Sequence, residues 1–142
     1  MAASALVGKP CPDIATLVSV TPAGAPAAAK TTLKKFLASK AKTVVLCFVT
    51  SGPACNAAIA RMEEGAFQKG ASGKASFVIV STDSLKSAQD LHKENAITGC
   101  SHVFGEGKTF NVARTPAHVV IKDGKVVMFT EEEVASYMSF VA

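Results

Sequence analysis

The apolar positions of this chain gather into dense, β-branched runs, separated by stretches in which they recur every three or four residues. The run TVVLCFV, residues 43–49, shows no polar alternation, which marks a strand covered on both faces and central in an α/β sheet. ASFVIVSTD, residues 75–83, reads as a second buried strand. In HVVIKDGKVVMF, residues 118–129, two β-branched runs flank Lys122-Asp123-Gly124, and Asp-Gly supplies a hairpin turn.

Helical spacing fills the gaps. KTTLKKFLASKA, residues 30–41, sets Leu33, Phe36 and Leu37 on one face. PACNAAIARMEEGAFQ, residues 53–68, opens with Pro53 in its first turn and aligns Cys55, Ile59, Met62 and Ala66. SLKSAQDLHKENA, residues 84–96, turns Leu85, Ala88 and Leu91 inward, with Asp83 or Ser84 as its cap. TEEEVASYMSFV, residues 130–141, reads as a last short helix. Thr130 and Glu133 have capping-box spacing, so its acidic run is a helix start rather than a metal site. Before these lie an extended segment, GKPCPDIATLVSV at 8–20, and a Pro/Gly/Ala connector at 21–29. With no repeat and no linker, residues 1–142 read as one domain. The expected architecture is α/β: a mixed central sheet, helices on both faces, and a C-terminal hairpin and helix.

Composition narrows the function. At 49% apolar and 18% charged residues the chain is of globular type. Its longest apolar run, Val44 to Val49, falls far short of the ~20 residues of a membrane span, so no membrane insertion is expected. MAASALVGKP has no basic region followed by a long apolar stretch and is not expected to be a secretory signal. The charge of +4 comes from 13 Lys and 2 Arg, with no Trp and one Tyr, a poor set for nucleic-acid recognition. Lys30, Lys34, Lys35, Lys40 and Lys42 read as a solvated helical face, or else as a docking face for an acidic partner. Cys11, Cys47, Cys55 and Cys100 lack C-x-x-C spacing, and the histidines do not cluster. Neither structural zinc, another cofactor, nor a disulfide framework is expected. His92 and His102 show no partner at ligand spacing. The compartment expected is reducing and cytoplasmic, with a processed organellar form as the alternative.

The stretch TSGPAC, residues 50–55, carries the candidate chemistry. It puts Cys55 where a strand hands over to a helix N-terminus, whose free N–H groups and partial positive charge favour a thiolate. Cys55 reads either as a reactive or ligand-binding thiol or as a packed helix-start cysteine. Cys47, mid-strand, reads as core. Cys100 follows a glycine in a loop and is a candidate to resolve an oxidised Cys55; Cys11 is a second. His118 lies two residues after Pro116 on an extended segment, so both point to one face. It is either a base for Cys55 or a satisfied histidine.

Three segments, VGKPCPDI, VVLCFVTSGPACNAAI and FNVARTPAHVVIKDGKVV, resemble in order and spacing the redoxin branch of the thioredoxin superfamily, which includes TlpA-like oxidoreductases and peroxiredoxins. The resemblance implies a thioredoxin-like fold across the chain. It implies that Pro116, after Thr115, is the family's cis-proline beside the active-site loop, with Thr115 presenting backbone groups to substrate. It aligns Cys55 with the second cysteine of the C-x-x-C motif, which leaves Gly52 in place of the first. A dithiol cycle within the motif is then impossible. Against the peroxiredoxin pattern P-x-x-x-T-x-x-C, Gly52 stands for the Thr and Phe48 for the Pro. The expected Arg falls near Pro116, with Arg114 as a neighbouring substitute. Two functions follow. One is an atypical monothiol redoxin, a thiol-dependent oxidoreductase working on protein thiols or disulfides, or weakly on peroxide, through Cys55. The other is a redox-inactive module that binds a protein partner or serves as an assembly subunit.

Overall fold

The structure, a computed structural model, describes residues 7–11, 17–20, 30–37, 43–67, 75–97, 99–105, 110, 112 and 114–131. Its elements are β1 (Leu17–Ser19), β2 (Lys30–Thr31), α1 (Leu33–Leu37), β3 (Thr43–Val49), α2 (Pro53–Gly65), β4 (Ala75–Ser81), α3 (Leu85–Glu94), β5 (Ser101–Phe104), β6 (Ala117–Lys122) and β7 (Lys125–Thr130). The strands form one sheet in the order β2-β1-β5-β4-β3-β6-β7.

The run read as a central strand is central, and the second buried run lies beside it. β3 and β4 pair in parallel from Thr43↔Ala75 to Val49↔Ser81, and β3 is buried at every position. β6 returns antiparallel on the other side of β3. Asp123 and Gly124 make the hairpin turn with φ of 50° and 80°, the paired positive angles that Asp-Gly accommodates. Side chains from alternate strand positions sort into two cores. Val45, Cys47, Val49, Phe77, Ile79 and Val120 lie under α2 and α3. Val44, Leu46, Phe48, Val78 and Val80 face the other way, with Leu17 and with Leu33 of α1. Helices therefore cover both faces, as the unalternating strands require. Among the described residues, no helix is long and apolar enough to cross a membrane.

Two sequence expectations change. β5 is a strand the sequence pattern did not mark: Ser101–Phe104 is four residues long and carries His102 in place of an apolar residue. Lys30 and Thr31, read as helix, pair with β1 instead, and α1 begins at Leu33. Thr130, read as a helix cap, also closes β7, and the helix it would cap lies outside the described residues. The expected C-terminal helix and Glu133 lie outside the described residues, as do Lys40, Lys42 and the 21–29 connector. Of the two cap candidates for α3, Ser84 does the work, its hydroxyl accepting the Ser87 N–H at 3.1 Å.

Candidate active site

β3 ends at Val49, and the loop Thr50–Gly52 delivers the chain to α2. Gly52 precedes the helix with φ 150° and ψ 161°, a combination essentially confined to glycine. Pro53 opens the first turn, where its missing N–H removes nothing from the helix ladder. Cys55 is the third helical residue and is 3% exposed. Its sulfur accepts a hydrogen bond from the Thr50 N–H at 3.4 Å, and the Thr50 hydroxyl lies 3.9 Å away. That hydroxyl is also 2.8 Å from the hydroxyl of Thr115. The Thr115–Pro116 peptide bond is cis. The sulfur, Thr50 and Thr115 thus form one corner, with buried Pro116 next in the chain.

The loop is braced from the side. The N–H and hydroxyl of Ser51 both donate to Asp83 Oδ2 at 3.3 Å, and the Ser51 and Ser87 hydroxyls are 2.6 Å apart. Burial alone would raise the Asp83 carboxyl. The hydrogen bonds from Ser84, Ser87 and Ser51 outweigh it and hold that carboxyl below its usual value. A charged acceptor at the start of α3 therefore fixes the segment that presents Thr50.

The other candidates are dispersed. Cys100 precedes β5 and is buried, not an exposed loop thiol. Its backbone N–H donates to Glu63 at 2.7 Å, and Gly99 approaches Ala66. Glu63 is eight residues beyond Cys55 on α2, roughly 12 Å along the axis at 1.5 Å per residue. Cys55 and Cys100 thus meet α2 at different ends, and both are free thiols. Burial, then Glu63, pushes the Cys100 thiol well above its ordinary value. Cys11 packs against the core on the opposite face of the sheet from Cys55. None of the four cysteines is in a disulfide.

His118 does face the α2 side, but it meets Cys47 rather than Cys55. The two are cross-strand partners, with Nε2 3.5 Å from the Cys47 sulfur, deep in the core. Burial, then the charge of Arg61, pushes His118 down to about 4. Burial, then Cys55, pushes the Cys47 thiol well above its ordinary value. Arg114 is exposed. Its backbone N–H donates to Glu131 at 2.6 Å, and among the described residues no hydrogen bond joins its side chain to Cys55.

Thr50 is the residue the sequence reading passed over. The peroxiredoxin pattern asks for a hydroxyl three residues before the thiol, where Gly52 stands. Here a hydroxyl comes from five residues before it, because the turn at Gly52 folds the end of β3 back over the helix start. The signal was Thr50's position as the first polar residue after the buried run.

No family model matches the sequence, and no curated protein matches it either. Solved structures do match in fold. A reduced 2-Cys peroxiredoxin from Plasmodium vivax is 18% identical, with TM-score 0.69 over 96% of this chain and 78% of that one. A secreted Mycobacterium tuberculosis disulfide oxidoreductase homologous to E. coli DsbE is 21% identical, with TM-score 0.62 over 87% and 90%. The thioredoxin domain of a Bacteroides vulgatus thiol-disulfide oxidoreductase is 16% identical, with TM-score 0.65 over 96% and 98%. The fold of this chain is thioredoxin-like.

Proposed function

We propose that the chain is a monothiol redoxin in which Cys55 reduces small hydroperoxides. The observation that carries this reading is the corner itself: a helix-start sulfur with the Thr50 N–H directed at it and the Thr50 hydroxyl beside it, that hydroxyl in turn bonded to Thr115. Burial selects among the substrates that the sequence leaves open. At 3% exposure Cys55 cannot present its sulfur to a bulky protein disulfide. A hydroperoxide is small enough to need only a slight opening of the loop, and the space beside Gly52 is open.

The chemistry balances with a hydroperoxide and an external thiol. The Cys55 thiolate attacks one peroxide oxygen; the O–O bond breaks and the other oxygen leaves, with a proton, as alcohol or water. Cys55 becomes a sulfenic acid. One thiol condenses with it, releasing water and leaving a mixed disulfide. A second thiol attacks that disulfide, restoring Cys55 and releasing a small-molecule disulfide. A reducing, cytoplasmic setting supplies such thiols.

The second reading is a redox-inactive module that engages a protein partner. Gly52 favours it. The position that would hold an attacking cysteine has a backbone suited to glycine alone, so this loop is shaped around the loss of the dithiol. One experiment separates the two. The reduced chain is exposed to hydrogen peroxide or an alkyl hydroperoxide, first alone and then with a small thiol, and mass spectrometry follows oxygen addition and mixed-disulfide formation at each cysteine. The proposal expects both at Cys55, with consumption of hydroperoxide abolished in Cys55→Ser. A Cys55 that stays unmodified overturns it in favour of the binding module.

A further inference from the structure

The Thr50–Gly52 loop beside the Cys55 sulfur is fastened in three places, and the fastenings are unequal. Just before it, the Val49 carbonyl accepts both the N–H and the hydroxyl of Thr82, at 3.1 and 3.3 Å. Within it, the Thr50 hydroxyl meets that of Thr115 at 2.8 Å in a part-buried contact. Ser51 makes the third fastening on the exposed side. Its N–H and hydroxyl both reach Asp83 Oδ2 at 3.3 Å, and its hydroxyl lies 2.6 Å from that of Ser87.

The Asp83 half of this junction is fixed. Its other oxygen, Oδ1, accepts the Ser84 N–H at 3.0 Å, and the Ser84 hydroxyl accepts the Ser87 N–H at 3.1 Å, so the carboxylate is seated on the start of α3. The loop half can move. Gly52 stands at φ 150°, and nothing lies within 4 Å of the place where a side chain would project. Water competes for exposed hydrogen bonds, so a segment held by them is among the first to open.

We propose that Ser51, Asp83 and Ser87 form a latch that holds the loop closed over Cys55 and so admits only small molecules to the sulfur. Asp83 and Ser51 are then positioning residues, acting on Cys55 through Thr50. The latch deepens the hydroperoxide reading and rests on it for the natural substrate. A thiol at 3% exposure reacts in proportion to the time its cover is open. A small reagent needs a partial opening, a bulky one the full displacement of the loop. Releasing the latch therefore favours the bulky reagent, whereas a gain in thiolate would speed both reagents equally.

The test labels the reduced full chain with two uncharged reagents of one chemistry, N-ethylmaleimide and a biotin-linked maleimide, and mass spectrometry reads each cysteine. In Asp83→Ala the bulky reagent is expected to modify Cys55 about fivefold faster, the worth of one net hydrogen bond, with a smaller gain for N-ethylmaleimide. Ser51→Ala moves the same ratio less, and Ser51→Thr, which restores the hydroxyl, returns it to the parent value. Asp83→Ala and Ser51→Ala combined gain less than the product of their separate effects, because they break one contact. Cys47, buried under the same helix, stays unlabelled. Equal acceleration of both reagents, labelling of Cys47 alongside Cys55, or an unchanged ratio in every variant overturns the latch. Oxygen addition at Cys55 of the parent chain scores the hydroperoxide reading separately. A shifted reagent ratio without oxygen addition keeps the latch and removes that substrate; oxygen addition with an unchanged ratio does the reverse.

Discussion

The two ends of α2 hold buried thiols in opposite company. At its start the sulfur of Cys55 receives an N–H from Thr50. Toward its other end Cys100 lies against Glu63, whose carboxylate accepts the N–H groups of Gly99 and Cys100. The exposures are similar, 3% and 7%, so burial does not distinguish the two. The partner does. A donor suits a sulfur anion, whereas at Cys100 burial, and then the Glu63 carboxylate, push the thiol up. At the two ends of one helix, then, one buried thiol has a neighbour that gives a hydrogen bond and the other a neighbour that takes one.

A third thiol sharpens the contrast and carries the largest stability effect. Cys47 meets a neutral imidazole, the Nε2 of His118 lying 3.5 Å from its sulfur. Neutrality depends on pH. His118 sits at about 4 in the fold against an ordinary 6.5, because burial, and then Arg61, disfavours its cation. Between those values the unfolded chain binds a proton that the folded chain refuses, so stability rises with pH there. The contribution is complete above about 6.5 and is lost as pH falls toward 4. The shift corresponds to about 3 kcal/mol, given that His118 is only 1% exposed. Urea unfolding at pH 7.5 and pH 4.5 measures it. In His118→Gln the slope between these pH values should shrink by the histidine's share; an unchanged slope would mean that His118 is not the group responsible.

At the far end of α2 the comparison can be broken directly. Glu63→Gln keeps an acceptor for Gly99 and Cys100 but removes its charge. Charged hydrogen bonds exceed neutral ones by about 1 kcal/mol, so a loss of roughly 1–2 kcal/mol is expected. The same change should make Cys100 alkylate faster at fixed pH, since the anion opposing its thiolate is gone. Destabilisation without faster alkylation would assign the Cys100 shift to burial alone.

How much of this was legible in the sequence follows from which forces act locally. TVVLCFV and Asp123-Gly124 specify a central strand and a tight turn from their own chemistry, and both stand where the pattern put them. Ser101–Phe104 could not be read in the same way. Its strand character comes from pairing with β4 and β1, not from four residues that include Ser and His. The site divides likewise. A cysteine at a helix start is a local feature. The Thr50–Thr115 contact joins residues 65 apart, His92–His102 crosses a turn, and the Cys100–Glu63 contact spans 37 positions. Each pairing is a product of topology, which a spacing rule does not carry.

The smallest expected effect is the most specific to the donor end. Thr50→Val keeps the N–H that reaches the Cys55 sulfur and deletes the hydroxyl shared with Thr115. If that hydroxyl orients the peroxide, oxidation of Cys55 by hydroperoxide slows about fivefold, the worth of one net hydrogen bond of roughly 1 kcal/mol. Alkylation by a small uncharged reagent, which needs only the sulfur and its N–H donor, stays near the parent rate. Thr50→Ser, which restores the hydroxyl, recovers the oxidation rate. Equal slowing of both reactions would mean that the threonine pair holds the loop rather than the substrate. The donor end of α2 would then consist of a single N–H, and the contrast with Glu63 would rest on that bond alone.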